Sequence, residues 1–153
     1  MRTIQRTLTI LCLAAGLVPD AVAQSDSPFK EGTVYTVAMI RTEANSQDDY
    51  LKLLSTYYVP LMTKAKEQGL IKGFTLLSGA FANQEDFDVM MLVEYESMAM
   101  MDPDVAREAK WKAIRDGMDT SIGGKEKTDA MQTQFGGMRT YVGNKLMRKL
   151  ELK

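Results

Sequence analysis

The chain has 153 residues, a formal net charge of −1 and no histidine. The absence of histidine excludes Ser-His-Asp and Cys-His catalytic triads, the common zinc sites and a proximal histidine for haem. The near balance of charge gives no electrostatic reason to expect nucleic acid as a partner, so we expect none, and we expect no metal or cofactor.

The N-terminus has the order of features that is typical of a cleavable export signal. Two arginines lie within the first six residues, Leu8 to Val18 is apolar, and small residues precede Gln24. The apolar run is too short for a permanent transmembrane anchor. We therefore predict cleavage between Ala23 and Gln24, with no membrane anchor afterwards, and a periplasmic or secreted protein. Cys12, the only cysteine, would be removed with the signal, so no disulfide can form.

The rest of the chain is predicted to be a short tether followed by one domain. Residues 24 to 32 are polar and include proline and glycine, which is typical of a flexible segment. The domain, residues 33 to 153, begins with a β-branched and apolar run from Thr33 to Thr42 that predicts a strand. A helix is predicted from Ser46, a candidate N-cap in a capping-box-like spacing, to Gln68, because apolar residues recur there at helical spacing. Pro60 lies inside this helix, so we expect a kink there or two helical pieces.

The second half of the domain is predicted to contain three strands and one main helix. The first two strands cover Gly69 to Ser78 and Asp86 to Glu96, and the last covers Met138 to Leu150. A helix follows Ser97 or Asp102, where Pro103 suits a first-turn position, and it runs towards Gly117. Its apolar residues at helical spacing are Met101, Val105, Ala109 and Trp111. Asp119 to Gly137 is predicted to be a long connection with a short helix inside it, and it is a candidate lid.

The predicted order of elements is β-α-β-β-α-β. This order is that of an α+β ferredoxin-like fold, which has a four-stranded antiparallel sheet with two helices on one face. The other face would carry apolar side chains such as Val37 and Leu92, and leaving it in water would cost about 25 cal/mol for each Å². We therefore expect a homodimer in which two sheets pack face to face. The alternative is that the terminal segments cover this face.

Several scaffold features point to a known group of folds. They are the strand ending near Arg41, the proline-interrupted helix at Tyr58-Val59-Pro60-Leu61, the Gly69–Phe74 entry to a strand, Asp88 to Tyr95, and Val142-Gly143 in the last strand. Over Thr33 to Leu150 the chain resembles the dimeric α+β barrel superfamily, which includes antibiotic-biosynthesis monooxygenase-like, stress-responsive A/B barrel and NIPSNAP-like domains. The resemblance implies a dimeric barrel, but it does not imply one activity, because many activities use this fold.

The resemblance also implies candidate ligand-binding residues. Cofactor-independent monooxygenases of this group position a phenolic substrate with Asn, Trp, Tyr or Arg side chains. The candidates of matching type, together with one carboxylate, are Tyr35, Glu94, Tyr95, Trp111 and Asn144. All except Trp111 are expected to cluster at one end of the barrel, where Glu94 between aromatic rings could act as a base. The alternatives are that Glu94 pairs with Lys145 or faces water, and that Trp111 is a core residue.

Two functions follow from these residues. The first is a small-molecule-binding or structural homodimer, which is favoured because no nucleophile or acid-base set stands out. The second is a cofactor-independent monooxygenase-like enzyme that acts on a small aromatic compound. If the segment from Asp119 to Gly137 is a lid, it should close over a pocket between the helices and the sheet, where Trp111 and Tyr95 could stack on a small aromatic ligand.

Overall fold

The structure is a computed structural model that describes residues 27 to 153. The predicted signal peptide and the start of the predicted tether lie outside the described residues. The described chain forms one α+β domain with the elements β1 (Phe29–Thr42), α1 (Gln47–Leu53), a π-helical turn (Leu54–Tyr58), α2 (Val59–Glu67), β2 (Gly73–Ser78), β3 (Val89–Tyr95), a 3-10 turn (Met98–Met101), α3 (Val105–Ile122), α4 (Lys125–Gly137) and β4 (Arg139–Leu152).

The four strands form one antiparallel sheet in the order β2-β3-β1-β4. The predicted four-stranded antiparallel sheet is therefore confirmed. The first strand is longer than predicted, because Phe29 pairs with Leu152 at the far end of β4. Residues 29 to 32, which were assigned to the tether, are thus part of the sheet. The second predicted strand is shorter and begins at Gly73.

The first predicted helix is present and is divided into two α-helical pieces near Pro60, which is one of the two expected outcomes. The π-helical turn joins α1 to α2, and Pro60 lies in the first turn of α2. Proline has no N–H and its ring crowds the carbonyl four residues earlier, so a wider turn before it relieves both defects. The predicted capping box does not form, because the Ser46 side chain makes no capping hydrogen bond.

The predictions for the second helix need three corrections. α3 begins after Asp104, whose carboxylate accepts a hydrogen bond from the Arg107 amide, so Pro103 precedes the helix. Val105 is 89% exposed, and the buried residues are Ile114 and Met118. The helix also continues to its junction with α4, where two glycines have φ of 103° and 112°. The connection expected over residues 119 to 137 is therefore mainly helical, and it is anchored in the core rather than forming a lid.

Two groups of buried side chains lie between the helices and one face of the sheet. The first contains Ile40, Tyr50, Leu54, Val89, Met91 and Phe135, and the second contains Ala65, Leu70, Ile71, Val93 and Ile114. Cross-strand partners share a face of a sheet, and alternate residues of a strand point to opposite faces. Val37 and Leu92, which are partners, therefore lie on the other face. Among residues 27 to 153, no helix packs on that face, which is called the open face below.

Candidate functional site

A cavity of about 150 Å³ lies between the helices and the helix-facing side of the sheet. Its walls come from the π-helical turn, α4, β3 and β4. The lining residues are mainly aromatic or apolar: Leu54, Tyr57, Tyr58, Met91, Gln132, Phe135, Arg139 and Tyr141. An apolar cavity of roughly this size holds one benzene molecule. The site is therefore suited in size and lining to a single aromatic ring.

Two local irregularities and one regular helix contribute these side chains. The π-helical turn carries the consecutive Tyr57 and Tyr58, and both line the cavity. A register shift between β1 and β4 places Tyr141, rather than Val142, opposite Ile40 on the helix-facing side. On α4, Gln132 and Phe135 are three positions apart, so helical spacing places both on the wall opposite the sheet.

Arg139 provides the positive charge of the site. One guanidinium nitrogen donates a hydrogen bond to the Tyr50 hydroxyl at 2.8 Å. The guanidinium carbon lies 4.5 Å from the centre of the Tyr141 ring and 5.6 Å from those of Tyr50 and Phe135. Such contacts stabilise a cation against aromatic faces. No carboxylate of the described residues forms an ion pair with Arg139.

Burial favours the neutral form of three tyrosines at or beside the cavity. Burial raises the pKa of Tyr50 above its ordinary value, although the hydrogen bond and charge of Arg139 act in the opposite direction. Burial likewise raises the pKa of Tyr57 and, more strongly, that of Tyr58. At neutral pH these phenols can donate hydrogen bonds, and they add no negative charge beside the arginine.

Tyr58 has an unusual environment. Its ring packs edge-on against Phe74, with 6.1 Å between the ring centres. Its hydroxyl oxygen is buried and has no hydrogen-bond partner among the described residues. A buried hydroxyl without a partner costs about 1–3 kcal/mol of stability. The Tyr58 hydroxyl therefore lowers the stability of the fold.

The structure separates the five residues that the sequence pointed to. Tyr35 and Glu94 are cross-strand partners on the open face, where the Thr33 hydroxyl donates to Glu94 at 2.7 Å. Tyr95 follows Glu94 in the strand and therefore points to the helix side. Tyr35 and Glu94 therefore lie on one face of the sheet, and Tyr95 and Asn144 lie on the other. Glu94 forms no ion pair with Lys145 in the described structure.

The other two predicted residues lie on the helix side but away from the cavity lining. Trp111 packs with Tyr95 against the second buried group, as the core alternative had it. Asn144 lies opposite Ala38 on β4 and is exposed. Neither Trp111 nor Asn144 lines the cavity.

The sequence reading missed the cavity residues for physical reasons. In a regular helix, Tyr57 and Tyr58 point about 100° apart, so helical spacing selected only one of them. For Arg139, the sequence shows only a cation at the start of a strand that also contains Tyr141. The register shift that brings these two side chains to the same face has no clear sequence signature.

A second polar cluster surrounds the buried carboxylate of Asp88. It accepts hydrogen bonds from the Thr42 amide at 2.9 Å, from the Thr42 hydroxyl and from the Gln47 side chain at 2.9 Å. These bonds connect the end of β1, the start of α1 and the residue before β3. Because the carboxylate is already satisfied, this cluster stabilises the fold and is not the candidate site.

A larger pocket, of about 460 Å³, lies outside this cavity between residues 41–44 and 81–84, most of which are exposed. Across residues 27 to 153 there is no cluster of three or more acidic or cysteine side chains that could hold a metal ion. Within the same part of the chain, no helix has the length and apolarity needed to cross a membrane. No protein-family model matches the sequence, and no curated protein sequence matches it either. Functional inference therefore rests on the cavity and on the fold around it.

Proposed function

We propose that the protein is an exported homodimer that binds a small aromatic molecule in the cavity between its helices and its sheet. The observation that carries the proposal is the cavity itself, which has aromatic and apolar walls and a volume of about 150 Å³. Ligand sites are typically concave and mostly apolar, with a few polar groups that orient the ligand. The polar groups among the lining residues are Arg139, Gln132 and the tyrosine hydroxyls.

The strand order supports a more specific fold. The order β2-β3-β1-β4, with the helices packed on one face, is the order that a ferredoxin-like β-α-β-β-α-β chain adopts. The additional helix α4 extends that arrangement and closes one wall of the cavity. This agreement supports assignment to the dimeric α+β barrel group.

The open face supports the dimer. Val37 lies at its centre, and Met39, Met90 and Leu92 surround it with half-exposed apolar side chains. Met147, opposite Tyr35 on β4, is 53% exposed on the same face. A second copy is the partner that matches this surface, because a two-fold axis brings the same apolar patch against itself. Burial of both patches would then provide the free energy of association.

The binding function is preferred to the monooxygenase-like alternative on geometric grounds. Glu94, the candidate base, lies on the open face, whereas the cavity lies on the helix side of the sheet. No other carboxylate is among the residues that line the cavity. General base catalysis requires the base within hydrogen-bond reach of the substrate, and the described residues offer no such base.

The experiment that tests binding blocks the mouth of the cavity. Gln132 lines the cavity from α4 and is exposed, so Gln132→Trp should fill the mouth without disturbing the core. Gln134→Trp, on the same helix and equally exposed, is the matched control. Saturation-transfer NMR with benzyl alcohol should detect binding to the wild type and to the control but not to Gln132→Trp. Equal binding to all three proteins, or binding to none, would refute the proposed site.

A further inference from the structure

We infer that the natural ligand of the cavity carries a carboxylate on a single aromatic ring, and that this carboxylate pairs with Arg139. The inference rests on the proposed function and adds the chemical class of the ligand. Two observations support it. The Arg139 guanidinium forms no ion pair with a described residue, and no other charged group is among the lining residues.

The guanidinium is oriented by its surroundings while much of its hydrogen-bonding capacity is unused. Its stacking on Tyr141 and its bond to the Tyr50 hydroxyl fix the plane of the group. An arginine has five N–H donors, and the hydrogen bond to Tyr50 uses one of them. The side chain is half-buried, so the charge is already partly removed from water. A carboxylate matches the fork of the remaining donors and forms the strong type of hydrogen bond.

The rest of the lining selects the remainder of the ligand. Arg139 is the only charged residue among the eight that line the cavity, so an amine would be repelled there. The rings of Tyr57, Tyr58, Phe135 and Tyr141 present apolar and aromatic surface. The volume of about 150 Å³ leaves room for one ring and little more. An aromatic monocarboxylate of the size of benzoate satisfies all three conditions.

The test compares benzoate with benzyl alcohol, a neutral molecule of similar size, at neutral pH and low salt. Charge-assisted hydrogen bonds should make benzoate bind about tenfold more tightly or better. Added salt should weaken benzoate binding and leave benzyl alcohol binding nearly unchanged, because only the first depends on charge. Equal affinity for the two probes would overturn the inference and leave the proposed function standing. Binding of neither probe would overturn both.

Arginine variants identify the group that recognises the carboxylate. Arg139→Gln should remove the preference for benzoate, and Arg139→Lys should restore part of it, because lysine keeps the charge but not the planar fork. Arg148→Gln, on the same strand but paired with Glu31, is the matched control and should keep the full preference. The salt dependence of the wild-type protein provides the same test without relying on the folding of a variant. A benzoate preference that survives in folded Arg139→Gln would overturn the assignment.

Discussion

Replacing Tyr58 by phenylalanine should make the protein more stable, which is an unusual outcome for a change at a buried position. The Tyr58 hydroxyl is buried and has no hydrogen-bond partner in the described structure, so it has lost its bonds to water without replacing them. Tyr58→Phe removes this group and keeps the ring that packs edge-on against Phe74. The neighbouring Tyr57 provides a matched control, because its hydroxyl has the Gln132 side chain beside it, which lowers the pKa of Tyr57 against the effect of burial.

The expected magnitudes have opposite signs at the two positions. Removing an unsatisfied buried hydroxyl should recover about 1–3 kcal/mol of stability. The small void that remains should cost about a few tenths of a kcal/mol, at ~24 cal/mol per Å³ of void. We therefore expect Tyr58→Phe to raise the free energy of unfolding by about 1–2 kcal/mol. Tyr57→Phe removes a less buried hydroxyl that lies beside Gln132, so it should lower the free energy of unfolding by at most about 1 kcal/mol.

Urea unfolding at fixed protein concentration measures both changes as shifts of the midpoint at constant slope. A pH series adds a second readout. Burial raises the pKa of Tyr58, so the unfolded chain releases this proton above a pH of about 10 while the folded protein retains it. Stability is therefore complete below that pH and falls above it, more steeply in the wild type than in Tyr58→Phe. A Tyr58→Phe protein that is less stable than the wild type would show that the hydroxyl has a partner and would refute the reasoning.

Three further predictions concern the core, the dimer and the N-terminus. Phe135→Ala should lower the free energy of unfolding by about 3–5 kcal/mol, because this ring is buried against Tyr50. Phe81→Ala, at an exposed loop position, should change it little. Similar effects of the two substitutions would contradict the role of α4 in the core. Light scattering of the wild type should give twice the monomer mass. Leu92→Lys should give monomer or aggregate. Leu146→Lys, on the helix-facing side of β4 and 50% exposed, should remain a dimer. A monomeric wild type would rule the dimer out. Intact mass of the protein purified from cells should correspond to a chain that begins at Gln24, and a retained Met1 would refute export by this signal.

The sequence patterns predicted the regular part of the fold. Alternation of apolar residues identified β3, and Val89, Met91 and Val93 are buried as that pattern requires. Helical spacing located α1 and α2, because the periodic apolar stripe tolerates one irregular turn. These patterns succeed where side chains face one continuous core, since burial then imposes the period of the secondary structure.

The candidate site depends on features that are not periodic. The predicted set relied on residue types carried over from a resemblance, and Glu94 and Tyr95 were grouped although consecutive strand residues point to opposite faces. The observed cavity needs the π-helical turn, the register shift that reorients Tyr141, and the docking of α4. Each of these arises from tertiary packing, and a local pattern does not report it. The pocket between helices and sheet was expected beside Trp111 and Tyr95, and neither residue lines the observed cavity.

The most direct test of ligand binding uses two adjacent methionines on opposite faces of β3. Met91 lines the cavity, and Met90 lies on the open face opposite Met39. With methyl-labelled methionine, NMR reports on both faces of the sheet in one spectrum. In the wild type, titration with benzoate should shift the Met91 methyl signal in a saturable manner and leave the Met90 signal in place. In the Gln132→Trp variant, the Met91 signal should not respond to benzoate. A Met91 signal that does not move with benzoate or benzyl alcohol, or that moves together with Met90, would contradict binding in this cavity.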